Sequence, residues 1–277
     1  MSHWGVESWT FGRELKGFRK LARDERGAVL LLHGYGEHAG RYGHVVEALA
    51  DAGFSVYAYD QRGHGQSSGP RALVRMADLA EDHLAAREWL RAHVKTPVFA
   101  LGHSMGGLVT AMSVVRDSRG LAGVILSSPA LVTGQDAPPL VRRLAPLIAL
   151  VAPSFPASVI EKGVLSRQAQ VQEAFDADPL CYTGKVKART GAEMMTAGHA
   201  LWSQLDRWSL PTLVIHGDAD RLITVEGSRR FLREVKSADV QYWEVAGGYH
   251  ELFNDEGADE AIAKVTSWLN GHVQLRA

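Results

Sequence analysis

Short apolar runs alternate with helix-length amphipathic stretches along most of the chain, a rhythm that predicts a doubly wound α/β domain. Strands are predicted at 28–32, 55–59, 98–101, 124–126 and 212–215. Most are continuously apolar, the pattern of parallel strands covered on both faces. Helical spacing is predicted over 41–52, 76–94 and 104–116, and a last strand at 240–245 separates helices at 225–236 and 259–270. The opening segment, 6–21, is more polar and is expected to form an antiparallel hairpin at one edge.

The rhythm breaks over 132–209. No strand pattern appears there, and helical stretches punctuated by proline are predicted at 139–151, 166–175 and 190–208. Leu140, Leu144, Leu147 and Val151 recur at helical spacing, while Ile148 and Leu150 widen the apolar surface. The insertion follows a strand end, where α/β sheets bind ligands. It is therefore expected to cap the site, its apolar surface lining an acyl pocket; a helical subdomain packed on the sheet edge is the alternative. The organisation expected is a core in two parts, 1–131 and 210–277, with a helical cap inserted at 132–209.

At 277 residues the chain can bury one large core. With 46% apolar and 22% charged residues its composition is that of an ordinary globular protein. A formal net charge of -1 gives no reason to expect nucleic acid as a partner. One cysteine, Cys181, excludes an intrachain disulfide and is expected to be a buried, inert thiol. Neither a basic, apolar leader nor a bilayer-length apolar run is evident, so a cytoplasmic protein is expected.

The chemistry starts at Gly102-His103-Ser104-Met105-Gly106, which follows an apolar run and opens a helical pattern. A G-x-S-x-G turn in that context forces the serine into a strained conformation with its hydroxyl above the sheet. Such a hydroxyl needs a base, and the base needs a carboxylate to orient it. Two aspartates compete after the strand at 212–215. Asp220 reaches further over the sheet edge, whereas Asp218 is placed to bond loop amides. Among twelve histidines, His250 is the expected base, in a Gly-rich loop between the last strand and the last helix. Backbone N–H groups of Met105 and Tyr35 are the expected oxyanion donors.

HGYGEHAGRY (33–42), DQRGHGQSSGPR (60–71), GHSMGG (102–107), HGDADRLI (216–223) and YHELFND (249–255) together resemble the monoacylglycerol lipase and lysophospholipase family of α/β-hydrolases. The resemblance runs along nearly the whole chain and is vaguest over 132–209. It implies the α/β-hydrolase fold, a triad of Ser104, Asp220 and His250, oxyanion donors at Tyr35 and Met105, and no metal or organic cofactor. It implies further that a substrate glycerol meets the 33–42 loop through Glu37 and Arg41. An ion pair or helix cap that fixes this loop is the alternative for those two. The 60–71 turn is expected to brace the site. Tyr35 departs from the smaller residue common there, so its ring is expected to narrow the pocket mouth or stack on substrate.

The activity implied is hydrolysis of monoacylglycerols or similar single-chain lipid esters. Lysophospholipase, short-chain carboxylesterase and thioesterase are rivals on the same scaffold, because substrate choice lives in the cap. A retired hydrolase that only binds ligands is the rival from another class. The apolar helix at 140–151 offers a transient contact with a membrane surface.

Overall fold

The computed structural model describes residues 6–134 and 138–273. A hairpin of β1 (Glu7–Trp9) and β2 (Gly17–Lys20) leads into β3 (Gly27–Leu32), α1 (Gly43–Asp51), β4 (Phe54–Tyr59) and α2 (Met76–His93). Then come β5 (Val98–His103), α3 (Met105–Arg116) and β6 (Gly123–Ser127). After an interruption, β9 (Thr212–Gly217), α7 (Glu226–Glu234), β10 (Val240–Val245) and α8 (Ala258–Val273) complete the core. The sheet order is β1-β2-β4-β3-β5-β6-β9-β10, with β4, β3, β5, β6, β9 and β10 mutually parallel and the hairpin antiparallel at one edge.

The continuously apolar strands are explained by two cores. Ala28, Leu30 and Leu32 of β3 pack on one face with Leu79 and Leu90 of α2 and Leu108 and Val109 of α3. Val29 and Leu31 pack on the other with Val45 and Leu49 of α1 and Val265 and Leu269 of α8. Alternate residues of a strand point to opposite faces, so a strand between two layers must be apolar throughout.

The interruption holds α4 (Pro139–Val151), β7 (Pro156–Ser158), α5 (Ala169–Ala177), β8 (Val186–Lys187) and α6 (Ala188–Trp202). The expectation of no strand here needs correction, since β7 and β8 pair as a small antiparallel ribbon. Its strands of three and two residues are exposed or half-buried, too short and too polar to leave an apolar pattern. Helix α4 keeps the predicted bounds but not the expected burial. Leu140, Leu144, Leu147 and Val151 are all exposed, as are Val141, Leu150, Phe155 and Val159. The stripe read as an acyl-pocket lining therefore lies on the surface, and Ala149 is the residue of α4 that is buried.

Candidate active site

Parallel strands direct their C-terminal ends to one edge, and β3 and β5 lie side by side where the winding of the sheet reverses. A crevice opens at such a point. Ser104 sits there, between β5 and α3, with φ +54° and ψ −121°. Only the surrounding structure can impose that conformation on a serine. A Cβ at Gly102 would lie 2.5 Å from the Gly106 carbonyl oxygen, and one at Gly106 would lie 2.4 Å from the carbonyl oxygens of Leu32 and His33. Both positions therefore require glycine, and the turn they permit lifts the hydroxyl above the sheet.

His250, in the loop after β10, places Nε2 2.9 Å from Ser104 Oγ and Nδ1 2.7 Å from Asp220 Oδ2. A carboxylate only accepts, so Nδ1 carries the proton and Nε2 offers its lone pair to the hydroxyl. Asp220, in the turn after β9, accepts the N–H groups of Leu222 and Ile223 on Oδ1 at 2.8 and 2.9 Å. Burial opposes its charge, but the His250 charge and the hydrogen bonds from His216 and His250 hold its carboxyl far below the usual range. Burial likewise opposes charging of His250. The Asp220 carboxylate and its hydrogen bond, with Glu251 and Glu37 behind, outweigh that and raise the imidazole above its ordinary value. Asp218 is exposed and accepts the Gly247 N–H at 2.6 Å, the loop-bracing role expected of it.

His216 was not foreseen. At the end of β9 its Nε2–H donates to Asp220 Oδ2 at 3.1 Å, and its Nδ1 accepts the Ser228 hydroxyl at 2.7 Å. The signal available was a polar residue closing a continuous apolar run four positions before Asp220. His103, beside Ser104, has its ring centroid 4.8 Å from that of His250. Burial and the His250 charge push it down to about 3, so it stays neutral.

The amides of Met105 and Tyr35 accept no role in the backbone pairing. Among the described residues neither N–H has a hydrogen-bond acceptor. The Tyr35 ring packs edge-on against His64 and Tyr182, and its hydroxyl donates to the Ala72 carbonyl at 3.4 Å. Glu37 and Arg41 turn inward. Glu37 Oε1 accepts the Gly34 N–H at 2.5 Å and the Tyr42 hydroxyl at 2.7 Å. Arg41 donates to Glu37 Oε2 at 2.8 Å and to both carboxylate oxygens of Glu251 at 2.7 and 2.8 Å. This is the ion-pair geometry rather than two groups free for a glycerol. The 60–71 turn braces, as expected: Gln61 donates to the His33 carbonyl at 2.6 Å, and Asp60 accepts the Ala39 N–H at 2.9 Å.

Among the described residues, His38, Asp178 and Cys181 bring three potential metal ligands within 4.8 Å of one another. Their protonation does not suit an ion. His38 Nδ1 accepts the Gly40 N–H, which leaves the proton on Nε2, 2.9 Å from Asp178. Burial pushes the Cys181 thiol up to about 12, so it is the inert thiol expected.

The segment between β6 and β9 is tied to both loops around Ser104. Tyr182 N–H donates to the Gly36 carbonyl at 2.7 Å, and Glu251 N–H donates to the Leu165 carbonyl at 2.8 Å.

Residues 23–257 match the protein family described as "Serine aminopeptidase, S33". The chain is 36% identical over 256 residues to a monoacylglycerol lipase of Mycolicibacterium smegmatis, covering 90% of each sequence. It is 30% identical to the monoglyceride lipase of Rattus norvegicus over 89% of this chain and 83% of that one. The crystal structure of a monoacylglycerol lipase from Paleococcus ferrophilus superposes with a TM-score of 0.84 at 32% identity, covering 94% of this chain and all of the other.

Proposed function

This chain belongs to the serine aminopeptidase S33 family, and from that premise we propose that it cleaves monoacylglycerol to fatty acid and glycerol through an acyl-enzyme on Ser104. It is a serine carboxylic-ester hydrolase of the α/β-hydrolase fold. The observation that carries the residue assignment is the buried line of hydrogen bonds from Ser104 Oγ through His250 to Asp220.

In this reading His250 Nε2 takes the Ser104 proton as Oγ attacks the ester carbonyl, and Asp220 stabilises the imidazolium. The amides of Met105 and Tyr35 receive the oxyanion. Collapse breaks the bond to the glycerol oxygen, which leaves with the proton from His250. Water then attacks the acyl-enzyme, gives its proton to His250, and frees the fatty acid as Oγ recovers that proton. Kinship with enzymes named monoacylglycerol lipase supports the substrate.

The insertion at 132–209 acts as the cap in this reading, supported by its contacts with the Gly36 and Glu251 loops. No helix among the described residues is long and apolar enough to cross a membrane. The exposed apolar residues of α4 support reversible contact with a lipid surface from the cytoplasm, where the substrate would be met.

Fatty-acid release from monoacylglycerols of graded chain length, beside diacylglycerols, lysophospholipids and short-chain esters, tests the substrate. Fastest turnover on a monoacylglycerol is expected. Faster turnover on a lysophospholipid, or on short-chain esters alone, replaces the proposed substrate with that one.

A further inference from the structure

The guanidinium of Arg41 touches both loops that flank the nucleophile. On one side it holds both oxygens of Glu251, the residue that follows His250. On the other it holds Glu37 Oε2, while Glu37 Oε1 accepts the Gly34 N–H. Gly34 runs against the nucleophile: a Cβ added there would lie 3.0 Å from Ser104 Cβ. The next amide is that of Tyr35. An unbroken chain of contacts thus leads from the base loop to the oxyanion loop, across residues 210 apart in sequence.

All three side chains are deeply buried, with 11% of Arg41, 4% of Glu37 and 5% of Glu251 exposed. Phe175 covers the guanidinium at 5.0 Å. Desolvating three charges is costly, and apolar residues of similar volume would often serve stability as well or better. What apolar residues do not supply is bidentate geometry, two parallel hydrogen bonds that fix angle as well as distance.

We propose that Arg41 is a positioning residue: bridging Glu37 and Glu251, it holds the Tyr35 amide and the His250 imidazole in register on Ser104. The inference rests on the roles proposed above for those three residues. It replaces a glycerol contact by Arg41 with an effect on every substrate, because the geometry being held belongs to the tetrahedral centre, not to the leaving group. Around His250 stand Asp220, Glu251, Glu37, Arg41 and neutral His103. Arg41 therefore also neutralises acids that would otherwise face the imidazolium unpaired.

The test compares Arg41→Met and Arg41→Lys with wild type on a monoacylglycerol and on a 4-nitrophenyl ester of the same acid, which has no glycerol. In the folded Arg41→Met variant kcat is expected to fall about 100-fold on both esters with KM within about threefold, near the cost of losing an oxyanion donor. A trifluoromethyl ketone, which forms a tetrahedral adduct on serine, should lose affinity by a similar factor. Arg41→Lys should recover part of the loss. Unchanged kcat on both esters overturns the proposal. So does a loss confined to KM for the glyceryl ester, which would make Arg41 a substrate contact. If Arg41→Met does not fold, Glu251→Gln carries the test. It should lower kcat on both esters and move the acid limb of kcat/KM to lower pH, and failure of both effects overturns the proposal. Absence of fluorophosphonate labelling on wild-type Ser104 would sink the underlying site assignment instead, and this inference with it.

Discussion

Helices α3 and α4 are of similar length and both rich in apolar residues, yet the fold treats them oppositely. Ten of the twelve residues of α3 are buried. In α4, with thirteen residues, Ala149 is the buried one. Helix α3 starts directly after Ser104 and packs on the sheet, α2 and α6, so its apolar residues face protein on nearly every side. Helix α4 leans on α6 and turns Leu140, Leu144, Leu147, Leu150 and Val151 outward. Helical periodicity tells that a face will be covered without telling by what. In α3 the cover is the core; in α4 we assign it to lipid.

Breaking the buried region at its chemical centre gives the largest effect. Ser104→Ala should cut kcat by roughly a million-fold, the scale of nucleophile deletion in serine proteases. Asp220→Asn should cost on the order of ten-thousand-fold in kcat, because the amide no longer holds the His250 tautomer that presents a lone pair to Ser104. Both are read from turnover of a soluble ester.

Smaller effects separate the two regions by stability. Leu30→Ala, at a fully buried site of β3, should cost about 2–5 kcal/mol in a denaturant titration. Leu147→Ala on α4 should stay within about 0.5 kcal/mol, since little of its burial is lost. Replacing Leu140, Leu147 and Leu150 together with serine should leave turnover of a soluble ester within about twofold, because all three are exposed. The same variant should lose binding to phosphatidylcholine vesicles, and retention of that binding would end the lipid reading of α4.

The pH profile sharpens the account of the buried region with the smallest change. As the proposed base His250 works only when neutral, and Asp220, Glu251 and Glu37 raise its pKa above the ordinary 6.5. The acid limb of kcat/KM should therefore fall above pH 6.5 as pH decreases. Removing one raising charge in Glu251→Gln should carry that limb to lower pH.

The parallel sheet, the edge hairpin and the bounds of α4 and β10 were legible because each rests on local patterning, two-sided burial or helical spacing. The meeting of Ser104, Asp220 and His250 was legible for a related reason: each follows a strand, on the edge where such sheets gather side chains. The roles of His216 and Glu251 were not. A histidine closing β9 carries no mark of which ring nitrogen donates, and Glu251 meets Arg41 across 210 residues. Glu37 and Arg41 stood open between glycerol contact and ion pair, because an exposed and a buried arginine read alike in sequence. The ribbon of β7 and β8 was missed because its exposed residues have no side to hide.

The central claim is that Ser104 is activated by His250 and Asp220. Intact-protein mass spectrometry after reaction with a fluorophosphonate probe tests it most directly, since the probe bonds only to an activated serine. The account predicts one adduct per wild-type chain, mapped to Ser104, slow labelling of Asp220→Asn and none of Ser104→Ala. Equal labelling of wild type and Ser104→Ala, or no labelling of either, would contradict it.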